Sequence, residues 1–194
     1  MSRALSLQHV ATTVLVQDLP QSRAEIAFLG RSNVGKSSLI NALADQKGLA
    51  KVSKEPGRTK ALFCYAAGER GATVVDCPGY GFAKVAKKLR AGWLPMLEDY
   101  LLQRQALRQV VLLVDGEIGP TDLDLAMLDW LREHEVPHTV VATKQDKVKP
   151  SHRERRRREL AAASGIEAHA VVWVSARDNE GLTRLRELVR EWLG

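Results

Sequence analysis

The sequence predicts a three-layer α/β fold in which helices cover both faces of a mostly parallel six-stranded sheet. After residue 24, segments typical of strands alternate with segments typical of helices, which favours parallel strands joined by helical crossovers. Residues 110–114 and 139–142 are continuous runs rich in β-branched side chains, as expected for strands that are buried on both faces. A glycine-containing loop joins the first strand of this pattern to the first helix.

Each element follows from a local pattern in the chain. Strands are expected at 24–29, 61–67, 72–76, 109–115, 138–143 and 170–175, and helices at 36–45, 87–105, 121–134, 151–163 and 180–193. The last helix carries one apolar stripe, which we assign to the core; it consists of Leu182, Leu185, Leu188, Val189 and Trp192. Two polar segments with proline and glycine, 46–60 and 78–86, interrupt the alternation and are expected to be mobile loops.

Length and composition suit one globular domain over residues 24–194, preceded by an N-terminal extension, 1–23, in which 8–18 are a candidate for an extra strand. The two cysteines, Cys64 and Cys77, form no CxxC pair, so neither a disulfide framework nor a zinc site is expected. The chain shows no signal peptide and no membrane span, which favours the cytoplasm. The net charge of +6 suggests a polyanionic partner.

The loop between the first strand and the first helix carries the most specific motif. Residues 30–37 read GRSNVGKS, which matches the phosphate-binding pattern G-x-x-x-x-G-K-S. Its backbone N–H groups and the following helix would hold phosphates, with Lys36 on the β- and γ-phosphates and the Ser37 hydroxyl on Mg²⁺. The alternative is a turn rich in glycine and serine that fits the pattern by chance.

Two further segments are suited to the γ-phosphate and the metal. Asp76 ends an apolar strand in the sequence DCPG, so it could hold Mg²⁺ through water while the Gly79 N–H meets the γ-phosphate. Thr59, in the first loop, could complete the magnesium shell. A simple hairpin turn at 76–79 and a solvated threonine at 59 are the alternatives.

The sequence TKQD at 143–146 ends another apolar strand and predicts selection of guanine. The Asp146 carboxylate can accept hydrogen bonds from guanine N1–H and the 2-amino group, and adenine lacks both donors. Leaving such a carboxylate unpaired costs at least ~1–3 kcal/mol. Lys144 would lie across the base, and the Ser175 segment would meet guanine O6. The alternative is a solvated strand end.

Taken in order, these motifs resemble those of the translation-factor-like class of GTPases, with a Ras-like fold. GRSNVGKSSLINAL, PGRTK, DCPGYGFAKV and TKQDK are similar to the corresponding segments of the EngB (YihA/YsxC) family. The resemblance implies a bacterial GTPase that binds Mg²⁺, helps to assemble the large ribosomal subunit and is needed for cell division and septation. The residues expected to contact nucleotide are Gly30, Arg31, Ser32, Asn33, Val34, Gly35, Lys36, Ser37, Ser38, Gly57, Arg58, Thr59, Lys60, Ala61, Asp76, Cys77, Pro78, Gly79, Thr143, Lys144, Gln145, Asp146, Val174, Ser175 and Ala176.

Lys36, Thr59 and Gly79 are the expected catalytic residues, yet two positions depart from the wider pattern. Thr143 stands where most GTPases carry asparagine, although threonine is usual in the EngB group. Tyr80 stands where Ras-like proteins carry the glutamine that orients the attacking water, which predicts slow intrinsic hydrolysis. By resemblance, Asn33 could help to hold a K⁺ ion that assists hydrolysis. Arg58 could instead supply charge in cis or face a partner.

The segment 147–158 is the most basic part of the chain. Four consecutive arginines cannot share one face of a helix, which excludes an amphipathic membrane helix. A solvated helix surface and a contact with ribosomal RNA both remain open.

The motifs are compatible with three functions. The first is a GTPase switch in ribosome assembly, and the second is a nucleotide-dependent binding module of the division machinery with negligible turnover. The third, a P-loop ATPase or small-molecule kinase, is disfavoured by Asp146, which is suited to guanine. A monomer is expected in each case.

Overall fold

The computed structural model of the chain describes residues 3–51, 61–68, 70–80 and 94–194. Its sheet has seven strands in the order β1-β3-β4-β2-β5-β6-β7. The strands are β1 Leu7–Thr13, β2 Glu25–Gly30, β3 Leu62–Ala67, β4 Ala72–Asp76, β5 Leu107–Asp115, β6 His138–Thr143 and β7 Val172–Trp173. The pairs β1–β3 and β3–β4 are antiparallel, and the other four pairs are parallel. The predicted α/β class and mostly parallel sheet are therefore confirmed.

The described residues include five α-helices and several short 3₁₀ turns. The α-helices are α1 Lys36–Ala44, α2 Leu94–Gln103, α3 Asp122–Glu133, α4 Arg153–Ser164 and α5 Leu182–Leu193. The 3₁₀ turns are Val16–Asp18, Gln145–Lys147, Pro150–His152 and Ala168–Ala170. Residues 52–60 and 81–93, which hold most of the two predicted mobile loops and the start of the helix predicted at 87–105, lie outside the described residues. Within the described part, none of the helices has the length and apolar character needed to cross a membrane.

The sheet separates two apolar layers, as its residue alternation requires. Ile26 and Phe28 of β2 point into one layer with α1 and α5. Ala27 and Leu29 point into the other layer with α2, α3 and α4. All six residues of β2 are buried. Because side chains alternate along a strand, burial of both faces requires successive apolar residues, which residues 26–29 supply.

The predicted number of six strands was wrong, because the N-terminal segment adds a seventh. Residues 7–13 pair antiparallel with β3, and Val10 is an extra residue that interrupts the register between His9 and Ala11. Four of the seven residues of β1 are exposed, so its sequence lacks the continuous apolar run that marks the central strands. At the other edge, the 3₁₀ turn at Ala168–Ala170 delays the last strand, and β7 is shorter than the predicted 170–175.

A buried carboxylate ties α2 to the amino-terminal edge of the sheet. Glu25, the first residue of β2, is fully buried and accepts two hydrogen bonds from the Arg104 guanidinium, both at 3.0 Å. The hydroxyls of Thr73 and Tyr100 also donate to it, at 2.6 and 2.9 Å. A buried charge is tolerated only when it is paired and hydrogen-bonded in this way. The cluster therefore fixes the end of α2 on β2 and β4.

Removing the arginine tests this cluster. Arg104→Met is expected to lower the free energy of unfolding by about 3 kcal/mol or more, since it leaves the Glu25 carboxylate buried without a countercharge. Urea denaturation followed by circular dichroism measures the change. The exposed Arg108, changed to Met, is the control and should shift the midpoint very little. Equal midpoints for the two variants would contradict the role given to this ion pair.

Candidate nucleotide-binding site

The predicted motifs meet at one edge of the sheet. The loop 30–37 follows β2, Asp76 ends β4, the TKQD segment 143–146 follows β6, and 174–176 follow β7. These strands are parallel, so their carboxyl ends lie side by side, and the crevice beyond that edge is the usual ligand site of open α/β sheets.

The phosphate loop turns sharply between β2 and α1. Asn33 and Gly35 have positive φ values of 66° and 103°, and α1 begins immediately afterwards at Lys36. At Gly30, an added Cβ would lie 2.8 Å from Val34 Cγ1, so only glycine fits there. The loop therefore presents the N-terminus of α1 to the crevice, where N–H groups and the helix dipole favour an anion.

Lys36 and Asp76 form an ion pair at the centre of the site. Burial raises the pKa of Asp76 above its ordinary value, although the neighbouring Lys36 ammonium and Ser37 hydroxyl act in the opposite direction. A carboxylate and a hydroxyl are hard oxygen ligands of the kind that Mg²⁺ prefers. Among the described residues, no group of three His, Cys, Asp or Glu side chains could hold a metal alone. Ser37 and Asp76 therefore fit a Mg²⁺ ion that is held largely by phosphate oxygens and water.

The segment 77–80 continues the pairing of β4 with β2 as far as the phosphate loop. The Tyr80 N–H donates to the Gly30 carbonyl oxygen at 3.2 Å, and the Ser32 N–H donates to the Tyr80 carbonyl oxygen at 2.9 Å. An added Cβ on Gly79 would lie only 2.9 Å from the Ser32 nitrogen, so the two backbones touch. The residues predicted to meet the γ-phosphate thus lie directly against the loop predicted to cradle it.

Asp124, in the first turn of α3, is a residue that the sequence analysis missed. It is 1% exposed and accepts hydrogen bonds from the Tyr80 hydroxyl at 3.0 Å and from Arg31 Nε at 3.2 Å. Burial and this adjacent carboxylate raise the pKa of Tyr80, so its hydroxyl remains protonated and acts as the donor. The Thr121 N–H and hydroxyl also donate to Asp124. The sequence TDLD at 121–124 is a helix-start pattern and was the available signal, but it does not reveal the distant partners.

Thr143 joins the base end of the site to the phosphate loop. Its hydroxyl donates to the Val34 carbonyl oxygen at 2.6 Å and lies 3.3 Å from the Val114 carbonyl oxygen. Threonine at this position therefore reaches the loop that it must support, although it has one polar atom where asparagine has two.

Lys144 and Asp146 are each oriented by a second side chain. The Lys144 ammonium donates to Asp115 Oδ2 at 2.6 Å, and the other oxygen of that carboxylate accepts the Glu117 N–H at 3.0 Å. The Ser175 hydroxyl donates to Asp146 Oδ1 at 2.8 Å. The two groups expected to contact guanine are thus each oriented by a hydrogen bond from within the protein. Asp115 is a second residue that sequence reasoning missed.

The remaining predicted contacts divide into described and undescribed residues. Gln145 binds the end of β7 through its N–H, which donates to the Val174 carbonyl oxygen at 3.1 Å. Ala61 is half-buried just before β3, while Ser38 is exposed on the first turn of α1 and Ala176 is half-buried after β7. Cys77 and Pro78 are buried between β4 and Gly79. The predicted residues Gly57, Arg58, Thr59 and Lys60 lie outside the described residues.

Known proteins are similar to this chain in both sequence and fold. Residues 25–144 match a family described as 50S ribosome-binding GTPase. The chain is 44% identical over 171 residues to a probable GTP-binding protein EngB of Thermotoga maritima, a match that covers 88% of this chain and 87% of that protein.

A probable GTP-binding protein EngB of Pelotomaculum thermopropionicum is 42% identical over 171 residues, with 88% and 86% covered. A crystal structure of a probable GTP-binding protein EngB matches with a TM-score of 0.70 at 26% identity, covering 88% of this chain and 98% of that one. This similarity confirms the predicted Ras-like P-loop GTPase fold.

Replacing the guanine-facing carboxylate tests the base site. Asp146→Ala is expected to weaken GDP binding by at least about 100-fold, because guanine N1–H and the 2-amino group lose their acceptor. Weak ATP binding should change little. Isothermal titration calorimetry measures both.

Asp178→Ala is the matched control. Asp178 is an exposed residue of the next loop, and its backbone N–H, rather than its side chain, bonds to Ser175. GDP affinity that survives Asp146→Ala, or an equal loss in the control, would refute the assignment.

Proposed function

The chain belongs to the EngB family of GTP-binding proteins, and we propose that it hydrolyses GTP slowly, as a molecular switch in assembly of the large ribosomal subunit. The observation that carries this proposal is the match of residues 25–144 to a family described as 50S ribosome-binding GTPase. The four described guanine-nucleotide motifs, at 30–37, 76–79, 143–146 and 174–176, support it by their position at one edge of the sheet. In this proposal, bound GTP holds the protein in the state that engages the ribosomal particle, and hydrolysis releases it.

The proposed hydrolysis depends on position and charge. Lys36 and the phosphate-loop N–H groups would neutralise charge on the transferring phosphoryl group, and the Thr59 and Gly79 backbones would contact the γ-phosphate. A Mg²⁺ ion would bind Ser37, Thr59 and, through water, Asp76. It would supply positive charge that offsets the negative charge of the phosphates.

The proposal of slow GTP hydrolysis rests on Tyr80, the residue that follows Gly79. Tyr80 has no amide with which to orient a water molecule, and its hydroxyl is engaged by the buried Asp124. Its ring is 5% exposed, so it packs into the core beneath the site. Hydrolysis would therefore need a group from elsewhere, and we propose a K⁺ ion held with the help of Asn33.

The start of α4 supports a polyanionic partner. Residues 153–159 hold five arginines and two glutamates. Side chains of Arg155 and Arg158 are 68% and 74% exposed, and each lies 3.2–3.4 Å from a glutamate of the same helix. Exposed ion pairs of this kind are weak and exchange readily with another anion. We propose that this face, with Lys147 and Lys149, contacts the phosphate backbone of ribosomal RNA.

We further propose that residues 24–194 act as one GTP-binding domain and that residues 1–23 are an extension of it. We propose that the protein works as a monomer in the cytoplasm. We also propose that it is needed for cell division and septation. The second candidate function is a nucleotide-dependent binding module of the division machinery with negligible turnover. One observation favours it: Tyr80 stands where Ras-like proteins carry the glutamine that orients the attacking water. GTP turnover measured with and without purified large ribosomal subunits separates the two.

Binding to the ribosomal particle is tested by co-sedimentation with 50S subunits, with GDP or a non-hydrolysable GTP analogue. The Arg155→Glu/Arg158→Glu pair is expected to reduce binding by about tenfold or more and to flatten its salt dependence, because two phosphate contacts are lost.

The charge-matched control is Arg70→Glu/Arg108→Glu, which changes two exposed arginines at the amino-terminal edge of the sheet, far from the proposed face. Particles that bind both double variants as well as wild type would exclude α4 as the contact. Failure of the wild-type protein to bind 50S in either nucleotide state would exclude the proposed function.

The K⁺ proposal predicts that GTP turnover is several times faster in KCl than in NaCl at equal ionic strength. Asn33→Gly should abolish the difference, since it removes the side-chain oxygen. Glycine adopts the positive φ of this position without strain, so the loop and GDP affinity should be kept. Equal rates in the two salts for the wild-type protein would rule out the ion.

A further inference from the structure

The segment 77–80 is docked onto the phosphate loop through groups that a bound γ-phosphate would need. The Ser32 N–H is one of the donors of the phosphate loop, and it donates a hydrogen bond to the Tyr80 carbonyl oxygen at 2.9 Å. Lys36 is bonded to Asp76. Gly79 lies so close to the Ser32 backbone that no Cβ could be accommodated between them. The Ser32 N–H is therefore engaged by the 77–80 segment, and a phosphate that used this donor would have to displace the Tyr80 carbonyl oxygen.

The Asp124 carboxylate binds one residue from each of the two segments in this contact, Tyr80 and Arg31. It accepts the Tyr80 hydroxyl on Oδ1, at 3.0 Å, and Arg31 Nε on Oδ2, at 3.2 Å. Tyr80 follows Gly79, and Arg31 precedes Ser32, so the carboxylate binds the residues next to the two backbones that touch. Thr121 fixes the carboxylate in turn, with its N–H and hydroxyl at 2.9 and 2.8 Å from Oδ2. Because Asp124 is almost completely buried, breaking these bonds without replacement is costly.

We propose that Asp124 and Tyr80 form a latch that keeps the 77–80 segment on the phosphate loop when no γ-phosphate is bound, and that this latch lowers the affinity for GTP relative to GDP. GDP has no γ-phosphate and binds with the latch closed. GTP must bind the open form, so its apparent affinity is reduced by the fraction of protein that is open. Asp124 is thus a positioning residue for the nucleotide state. The inference rests on the proposed GTP and GDP binding.

The test is the ratio of two affinities, which a merely structural loss would not move. Tyr80→Phe keeps the buried ring and removes the latch hydroxyl. It should raise the affinity for the non-hydrolysable analogue GppNHp, relative to GDP, by about three- to tenfold, while the GDP affinity changes less than about twofold. Asp124→Asn should shift the ratio in the same direction. The double variant should behave like Asp124→Asn alone, because the bond that Tyr80→Phe removes is already weakened in that variant.

Tyr100→Phe is the matched control. Its hydroxyl is also buried and also donates to a buried carboxylate, Glu25, at 2.9 Å, but at the opposite edge of the sheet. It should lower stability to a similar extent and leave the GppNHp to GDP ratio unchanged. Affinities come from displacement of fluorescent GDP, with circular dichroism to verify folding. If Asp124→Asn does not fold, Tyr80→Phe decides the matter alone.

An unchanged ratio in folded Tyr80→Phe overturns the latch and leaves the proposed function intact. An equal shift in Tyr100→Phe overturns it as well, because general loosening would then account for the effect. A wild-type protein that binds neither GDP nor GppNHp overturns both the latch and the proposed function.

Discussion

The turn from β2 into α1 places the end of a buried strand against the start of a helix, and the other parts of the site are arranged around it. An added Cβ at position 30 would lie 2.8 Å from Val34 Cγ1, and the positive φ values at Asn33 and Gly35 turn the chain so that α1 begins directly after the loop. Thr143 holds the loop from the base side through the Val34 carbonyl oxygen. The Thr143 side chain therefore joins the base site to the backbone of the phosphate site.

Among the described residues, charge compensation of buried carboxylates follows one pattern. Four buried carboxylates each have a lysine or arginine partner: Asp76 with Lys36, Asp115 with Lys144, Asp124 with Arg31, and Glu25 with Arg104. The first three pairs lie at the nucleotide edge, where their cations are expected to meet phosphate or base. The fourth lies at the opposite edge and only anchors α2. Phosphate binding at Lys36 would thus exchange one anionic partner for another rather than leave an unpaired charge in a buried site.

Much of the fold and the site was predictable, because the relevant signals are local. The phosphate loop, the acid at the end of β4 and the TKQD segment are contiguous strings, and the central strands are apolar on both faces. Asp115 and Asp124 were missed because their partners are distant in sequence: Lys144 is 29 residues from Asp115, and Arg31 is 93 residues from Asp124. Neither acid belongs to a nucleotide-binding motif. The edge strand β1 was only a candidate, because pairing on one side alone leaves no continuous apolar run to detect.

The extra N-terminal strand changes what the sheet offers to other chains. Because β1 pairs with β3, a partner strand cannot extend the sheet along β3. The edge strand is now β1, and its pairing is interrupted by the irregularity at Val10. At the far side, β7 is only two residues long. The described sheet thus has no long, regular edge strand open to strand addition, which protects the protein against edge-to-edge aggregation.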